Sequence, residues 1–154
     1  MSVRHATFTI ERQYDAPPAR VWRAWSDRDE KAAWFSGPED WHTPEFELDF
    51  RVGGREYSRG MSPDGGSFTY EAIYRDIVPG ERFVYAYDMY SDTTRISVSL
   101  GTVELVGDGD GTRLTYTEQG AYLDGLDTPE EREHGTNELF DALGRVLEGD
   151  RATT

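Results

Sequence analysis

The residues in this sequence with useful chemistry are a set of phenols, one carboxylate set among them, three histidines and a short segment rich in indole. Tyr57, Tyr70, Tyr74, Tyr85, Tyr87 and Tyr116 all fall in stretches of alternating hydrophobicity, at or near positions that share one face. A buried phenol needs a partner, and several facing one another suit a pocket for a partly polar ligand. Glu118 follows Leu114 and Tyr116 at period two and shares their face. A carboxylate there is costly to bury unless it is paired or protonated. The sequence offers Arg95, an inner tyrosine or His134 as its partner. Desolvated, Glu118 would be a usable acid near neutral pH; paired with a cation, it would be an orienting charge. A structural pair, or a solvent-facing end of a strand, is the competing reading.

Little other chemistry is on offer. His5, His42 and His134 lie at no ligand spacing, so no metal site is expected. No glycine-rich phosphate loop follows a strand, nothing points to a Ser-His-Asp triad, and no cofactor is expected. The acidic turn from Gly107 to Gly111 lacks the ligand run and terminal Glu of an EF-hand. There are no cysteines, which excludes disulfides and thiolate chemistry. Between Trp34 and Pro44, Trp34, Phe35 and Trp41 recur at no regular period among Gly37, Pro38 and Pro44. This loop either caps the core or forms an aromatic lid over a cavity mouth.

The element that must position these groups is the last long segment, 128–148. Thr128 reads as an N-cap, Pro129 as the first helical residue, and Glu131 follows three residues after the cap. Leu139, Phe140, Ala142, Leu143, Val146 and Leu147 form one stripe. A helix of roughly 30 Å is marginal alone in water and needs an apolar surface. The upstream residues supply it as strands. The first, 7–14, carries Phe8, Ile10 and Tyr14 on one face; two short helices follow, the first with Val21, Trp22 and Trp25, the second capped by Ser26 or Asp27.

Six further strands follow in meander order. Phe46, Leu48, Phe50 and Val52 alternate in the second, which Gly53 and Gly54 close with a tight hairpin. In the sixth, Ile96, Val98 and Leu100 share a parity that Val103 and Leu105 break, which suggests a bulge near Gly101. The expectation is an α+β chain: a seven-stranded curved antiparallel sheet around one long C-terminal helix.

At 154 residues the chain is most simply one domain with a core over about 7–148. Its formal charge of -14 argues against nucleic acid and anionic membrane as partners. No apolar run reaches membrane-spanning length and no signal-peptide pattern opens the chain, so a cytoplasmic location is expected. Lys31 is the sole lysine among 16 basic residues, read here as genome composition or salt adaptation.

Several motifs resemble a known family. Asp15-Ala16-Pro17, Arg20-Val21-Trp22, Asp27 to Lys31, and Trp34-Phe35 with Pro38 are similar to the opening of the SRPBCC (START/Bet v 1-like) superfamily. More narrowly they resemble the branch of the activator of Hsp90 ATPase homologue C-terminal-like domain. Arg51-Val52-Gly53-Gly54, Gly111 to Thr115, and Gly135 with Leu143 match further motifs of that branch. The resemblance implies the helix-grip (Bet v 1-like) fold, with two short helices between strands one and two. Members commonly carry Gly-Trp early in the last helix; here Thr136 follows Gly135, which implies a roomier or more polar pocket.

The resemblance leaves three functions open. One is binding of a small hydrophobic or aromatic molecule between sheet and helix. Another is a cyclase- or aromatase-like enzyme using Glu118 or His134, and the third is a module that engages a chaperone of the Hsp90 type. For the first, the expected lining is Trp34, Trp41, Phe50, Tyr70, Tyr85, Tyr87, Tyr116, Glu118 and His134.

Overall fold

The computed structural model describes residues 2–37 and 40–152, with side chains to 149. Pro38, part of the opening motif, lies outside the described residues. In chain order the elements are β1 (Val3–Tyr14), α1 (Pro18–Ser26), α2 (Arg28–Ala32), β2 (His42–Leu48), β3 (Arg55–Met61), β4 (Ser67–Val78), β5 (Arg82–Ser91), β6 (Thr94–Asp108), β7 (Gly111–Leu123) and α3 (Pro129–Ala152). The strands form one seven-stranded sheet in the order β1-β7-β6-β5-β4-β3-β2, and every neighbouring pair is antiparallel. This is the α+β helix-grip fold that the periodicity predicts, with α1 and α2 between β1 and β2.

Local chemistry starts each helix where the sequence places it. Thr128 Oγ1 accepts from the Glu131 amide at 3.1 Å, with Pro129 as the first helical residue of α3. Asp27 caps α2 by accepting from the Glu30 amide at 3.0 Å. The stripe of α3 buries Phe140, Leu143 and Leu147 in one core with Phe8, Ile10 and Tyr14 of β1 and Trp25 of α1. Tyr14 pins the helix by donating its hydroxyl proton to the Phe140 carbonyl at 2.8 Å. Leu143 is fully buried. Leu143→Ala should therefore destabilise the chain by about 2–5 kcal/mol in urea unfolding; a loss below about 1 kcal/mol would mean that the sheet does not grip the helix.

Two strand readings need correction. β2 ends at Leu48, so Phe50 and Val52 do not continue its apolar face. They sit in the wider turn 49–54, where the Asp49 amide bonds the Arg55 carbonyl and the Gly54 amide bonds the Arg51 carbonyl. Val52 is 58% exposed, and Phe50 packs edge-on against Trp22 and Phe83. Glycine is required at 54 because a Cβ would lie 2.0 Å from the Asp49 carbonyl oxygen.

β6 does not change phase near Gly101. Ser97, Ser99, Gly101, Val103 and Leu105 all face inward, while Val98 and Leu100 point outward at 41% and 38% exposure. The irregularity lies near Ile96, where Met89 pairs with Ser97 but Tyr90 pairs with Arg95. Hydrophobicity misleads here because the inner wall of β6 is made of small residues that admit phenols. A Cβ on Gly101 would lie 2.6 Å from the Tyr85 ring.

Candidate functional site

The concave face of the sheet and one side of α3 enclose a cleft of about 1090 Å³. Its helix wall is low: Gly135, Leu139, Ala142 and Val146 recur at helical spacing, and a Cβ on Gly135 would meet nothing within 4 Å. Trp41 stacks on Phe68 (centroids 5.3 Å apart) where β2 begins, and both rings line the cleft. Trp34 and Phe35 line it from the loop after α2; Trp34 is held by its indole N–H to the Ala24 carbonyl at 2.9 Å. The sheet contributes Tyr70, Tyr85, Tyr87 and Tyr116.

Glu118 on β7 is the centre of a buried polar network. Tyr116 and Tyr87 donate to its Oε1 at 2.6 and 2.8 Å, and Tyr122 donates to Oε2 at 3.3 Å. Arg132, in the first turn of α3, lies 3.5 Å from Oε2 and donates to the Tyr87 oxygen at 2.7 Å. It also donates to Ser97 Oγ at 2.7 Å and to Asp127 Oδ2 at 2.5 Å. Tyr85 extends the chain by donating to the Tyr116 oxygen at 3.0 Å. Burial raises the phenols of Tyr70, Tyr85, Tyr87, Tyr116 and Tyr122 well above the ordinary tyrosine range, and Glu118 adds to the rise in the last four. These phenols hold their protons at any physiological pH.

A second buried polar group lies beside it. Lys31 Nζ meets Glu56 Oε1 at 2.6 Å, and Tyr74 donates to the same oxygen at 2.5 Å. Lys31 also lies over the rings of Phe35 and Trp25, at 4.4 and 5.3 Å from their centroids. Burial draws its ammonium below the ordinary lysine range, though Glu56 opposes the shift.

Of the residues expected at the pocket, Trp34, Trp41, Tyr70, Tyr85, Tyr87, Tyr116 and Glu118 all line the cleft. Two do not. Phe50 lies at the far end of the core, against Trp22, Tyr74 and Phe83, because the wide turn carries it away from the β2 face. His134 points to solvent, 75% exposed, and pairs with Glu138 at 2.9 Å; it lies two residues from each of the buried positions Arg132 and Thr136. Nor is Arg95 the partner of Glu118, since it bonds Asp88 and Tyr90 on the surface. Tyr57 faces outward beneath the Arg55 guanidinium, its neighbour Glu56 taking the inner position.

Arg132, Tyr122, Asp127 and the Lys31–Glu56 pair escape a reading by hydrophobicity, because charges on an inner face look like surface. One signal was available for Arg132: with Thr136, Phe140 and Leu143 it continues the buried stripe of α3 backwards at spacings of three and four. Among the described residues, no group of three or more His, Cys, Asp or Glu could hold a metal ion, and no helix is long and apolar enough to cross a membrane.

Comparison with known proteins agrees with this architecture. A protein from Rhizobium loti, Mll3558, is 46% identical over 95% of this chain and 99% of that one, with a TM-score of 0.87. A putative uncharacterized protein from Rhizobium leguminosarum is 44% identical over 96% and 97%, with a TM-score of 0.91. CV1439 from Chromobacterium violaceum is 27% identical over 92% and 96%, with a TM-score of 0.80. No curated protein matches. Residues 15–148 match the family model described as activator of Hsp90 ATPase homolog 1-like protein, and the chain belongs to that family.

Proposed function

We propose that this protein binds a small hydrophobic or aromatic molecule in the cleft between the sheet and α3, oriented by the Glu118–Arg132 network. The observation that carries this reading is the cleft itself: about 1090 Å³, walled by aromatic rings, with a few convergent polar groups at one side. Binding is favoured over acid–base catalysis by the state of Glu118. Its carboxylate oxygens already accept from Tyr87, Tyr116 and Tyr122 and lie beside the Arg132 cation, so they are engaged within the protein and not presented to a reacting atom. A chaperone partner, which the family description suggests, would meet an outer surface and would not need the cleft.

A thermal-shift screen of small aromatic compounds tests the proposal, since a ligand that binds only the folded chain raises its melting temperature. Gly135→Trp is the control: its indole enters open space in the cleft and should abolish the shift while the variant still folds. Shifts that persist in this variant, or no shift with any compound, would count against the cleft. Glu118→Gln sets an amide NH2 among phenol donors, so it should cost about 1–3 kcal/mol of stability. It should also change the affinity for a confirmed ligand at least about tenfold, or ~1.4 kcal/mol. Unchanged affinity would reduce Glu118 to a structural role.

A further inference from the structure

We infer that the cleft selects an organic cation: an apolar or aromatic body that carries a protonated amine. The inference rests on reading the cleft as a ligand site and names the chemistry of what enters it.

The hydrogen bonds around Glu118 run in one direction. An ionised carboxylate only accepts, so Tyr87, Tyr116 and Tyr122 must point their protons at Glu118. With the Tyr116 proton spent, its oxygen accepts from Tyr85. Arg132 gives its N–H groups to Tyr87, Ser97, Asp127 and Glu118. Every one of these donors is turned toward the protein. What the network leaves over is acceptor capacity, such as the open lone pairs on the Tyr85 oxygen. A ligand group rich in N–H donors fits such a surface, whereas a carboxylate would lose its water and find few donors in return.

Tyr70 is the second observation. It lines the cleft, is only 6% exposed, and its hydroxyl makes no hydrogen bond of normal geometry. A buried hydroxyl without a partner is expensive. Its oxygen, which receives no hydrogen bond from the protein, adds to the acceptor capacity at the wall of the cleft.

Charge points the same way. Glu118, Asp127, Glu131, Glu138 and Asp141 line the cleft against Arg132 and Arg145. Arg12 offsets Asp141 and Arg132 is shared between Glu118 and Asp127, so the wall near the start of α3 keeps a negative excess, with Glu131 free of any ion pair among the described residues. Distant surface charge is screened beyond a Debye length of about 8–10 Å, so these lining groups decide the sign. The faces of Trp41, Phe68 and Phe35 add a favourable surface for an ammonium.

The test is calorimetric titration at neutral pH with three probes on one skeleton: naphthylethylamine, naphthylethanol and naphthylacetate. The expected order is amine, then alcohol, then acid, with the amine at least tenfold tighter than the acid, and with all binding lost in Gly135→Trp. Equal or tighter binding of the acid or the alcohol would overturn the selection for a cation while leaving the cleft as a site for aromatic molecules. Amine binding that survives in Gly135→Trp would also overturn it, as attraction to the acidic surface. If none of the three binds, the ligand-binding reading falls with it.

Discussion

Glu56→Leu should destabilise the protein by about 3–5 kcal/mol, because it strands the Lys31 ammonium in the core. Lys31 and Glu56 are both fully buried and meet at 2.6 Å, with Tyr74 bonded to the same carboxylate oxygen. Attraction between them offsets the loss of water from both charges, and no water can replace a missing partner. The other carboxylate oxygen, Oε2, has no hydrogen-bond partner, so the pair is not fully compensated even in the native chain. Removing both charges is then far milder than removing one. A Lys31→Met/Glu56→Leu double variant should regain most of the loss in urea unfolding, since such replacements are often neutral or better. A single variant that loses less than about 1 kcal/mol would show that water reaches the pair.

This pair also shows where reading by period fails. The alternation of β1, β4, β5 and β7 fixed their inner faces correctly: Phe8, Tyr70, Tyr85 and Leu114 are all buried. The capping signals at Asp27 and Thr128 mark real helix starts. These features are local, determined by residues two to four positions apart. Glu56 looks like an outer residue of a polar strand, and only the neighbouring α2, which brings Lys31 over it, makes burial tolerable. Arg132 is similar, since its partners Glu118, Tyr87 and Ser97 lie 14, 45 and 35 positions away in the chain. His134 is one of three partners the sequence offers Glu118, yet the turn of the helix gives the inward position to Arg132. β6 fails for the opposite reason: its apolar Val98 and Leu100 face outward because the phenols of β5 and β7 already fill the space inside. The cleft itself belongs to no strand or helix. It exists because α3 carries Gly135 and Ala142 on the side facing the phenols, and that juxtaposition is set by the tertiary fold.

The largest effect expected is alkaline unfolding in one step just above pH 10. Burial is the main cause that raises the phenols of the core tyrosines Tyr14, Tyr70, Tyr74, Tyr85, Tyr87, Tyr116 and Tyr122 above their ordinary value. The unfolded chain loses these protons near pH 10 and the folded chain keeps them, so above that pH the native state binds more protons. Stability is then undiminished below pH 10 and falls as pH rises. One phenol that ionises only on unfolding removes about 1.4 kcal/mol by pH 11, so seven remove about 10 kcal/mol. That is comparable with the whole stability of an ordinary domain, about 5–15 kcal/mol. Lys31 acts in the opposite sense, since its depressed ammonium adds stability as pH rises, but this gain ends at the ordinary lysine value of 10.5. Phenolate absorbance followed beside circular dichroism gives the check. The buried phenols should ionise together as the sheet signal is lost. Gradual ionisation of these phenols with the sheet intact would mean that solvent reaches the Glu118 network, and the argument that its protons are committed would fail with it.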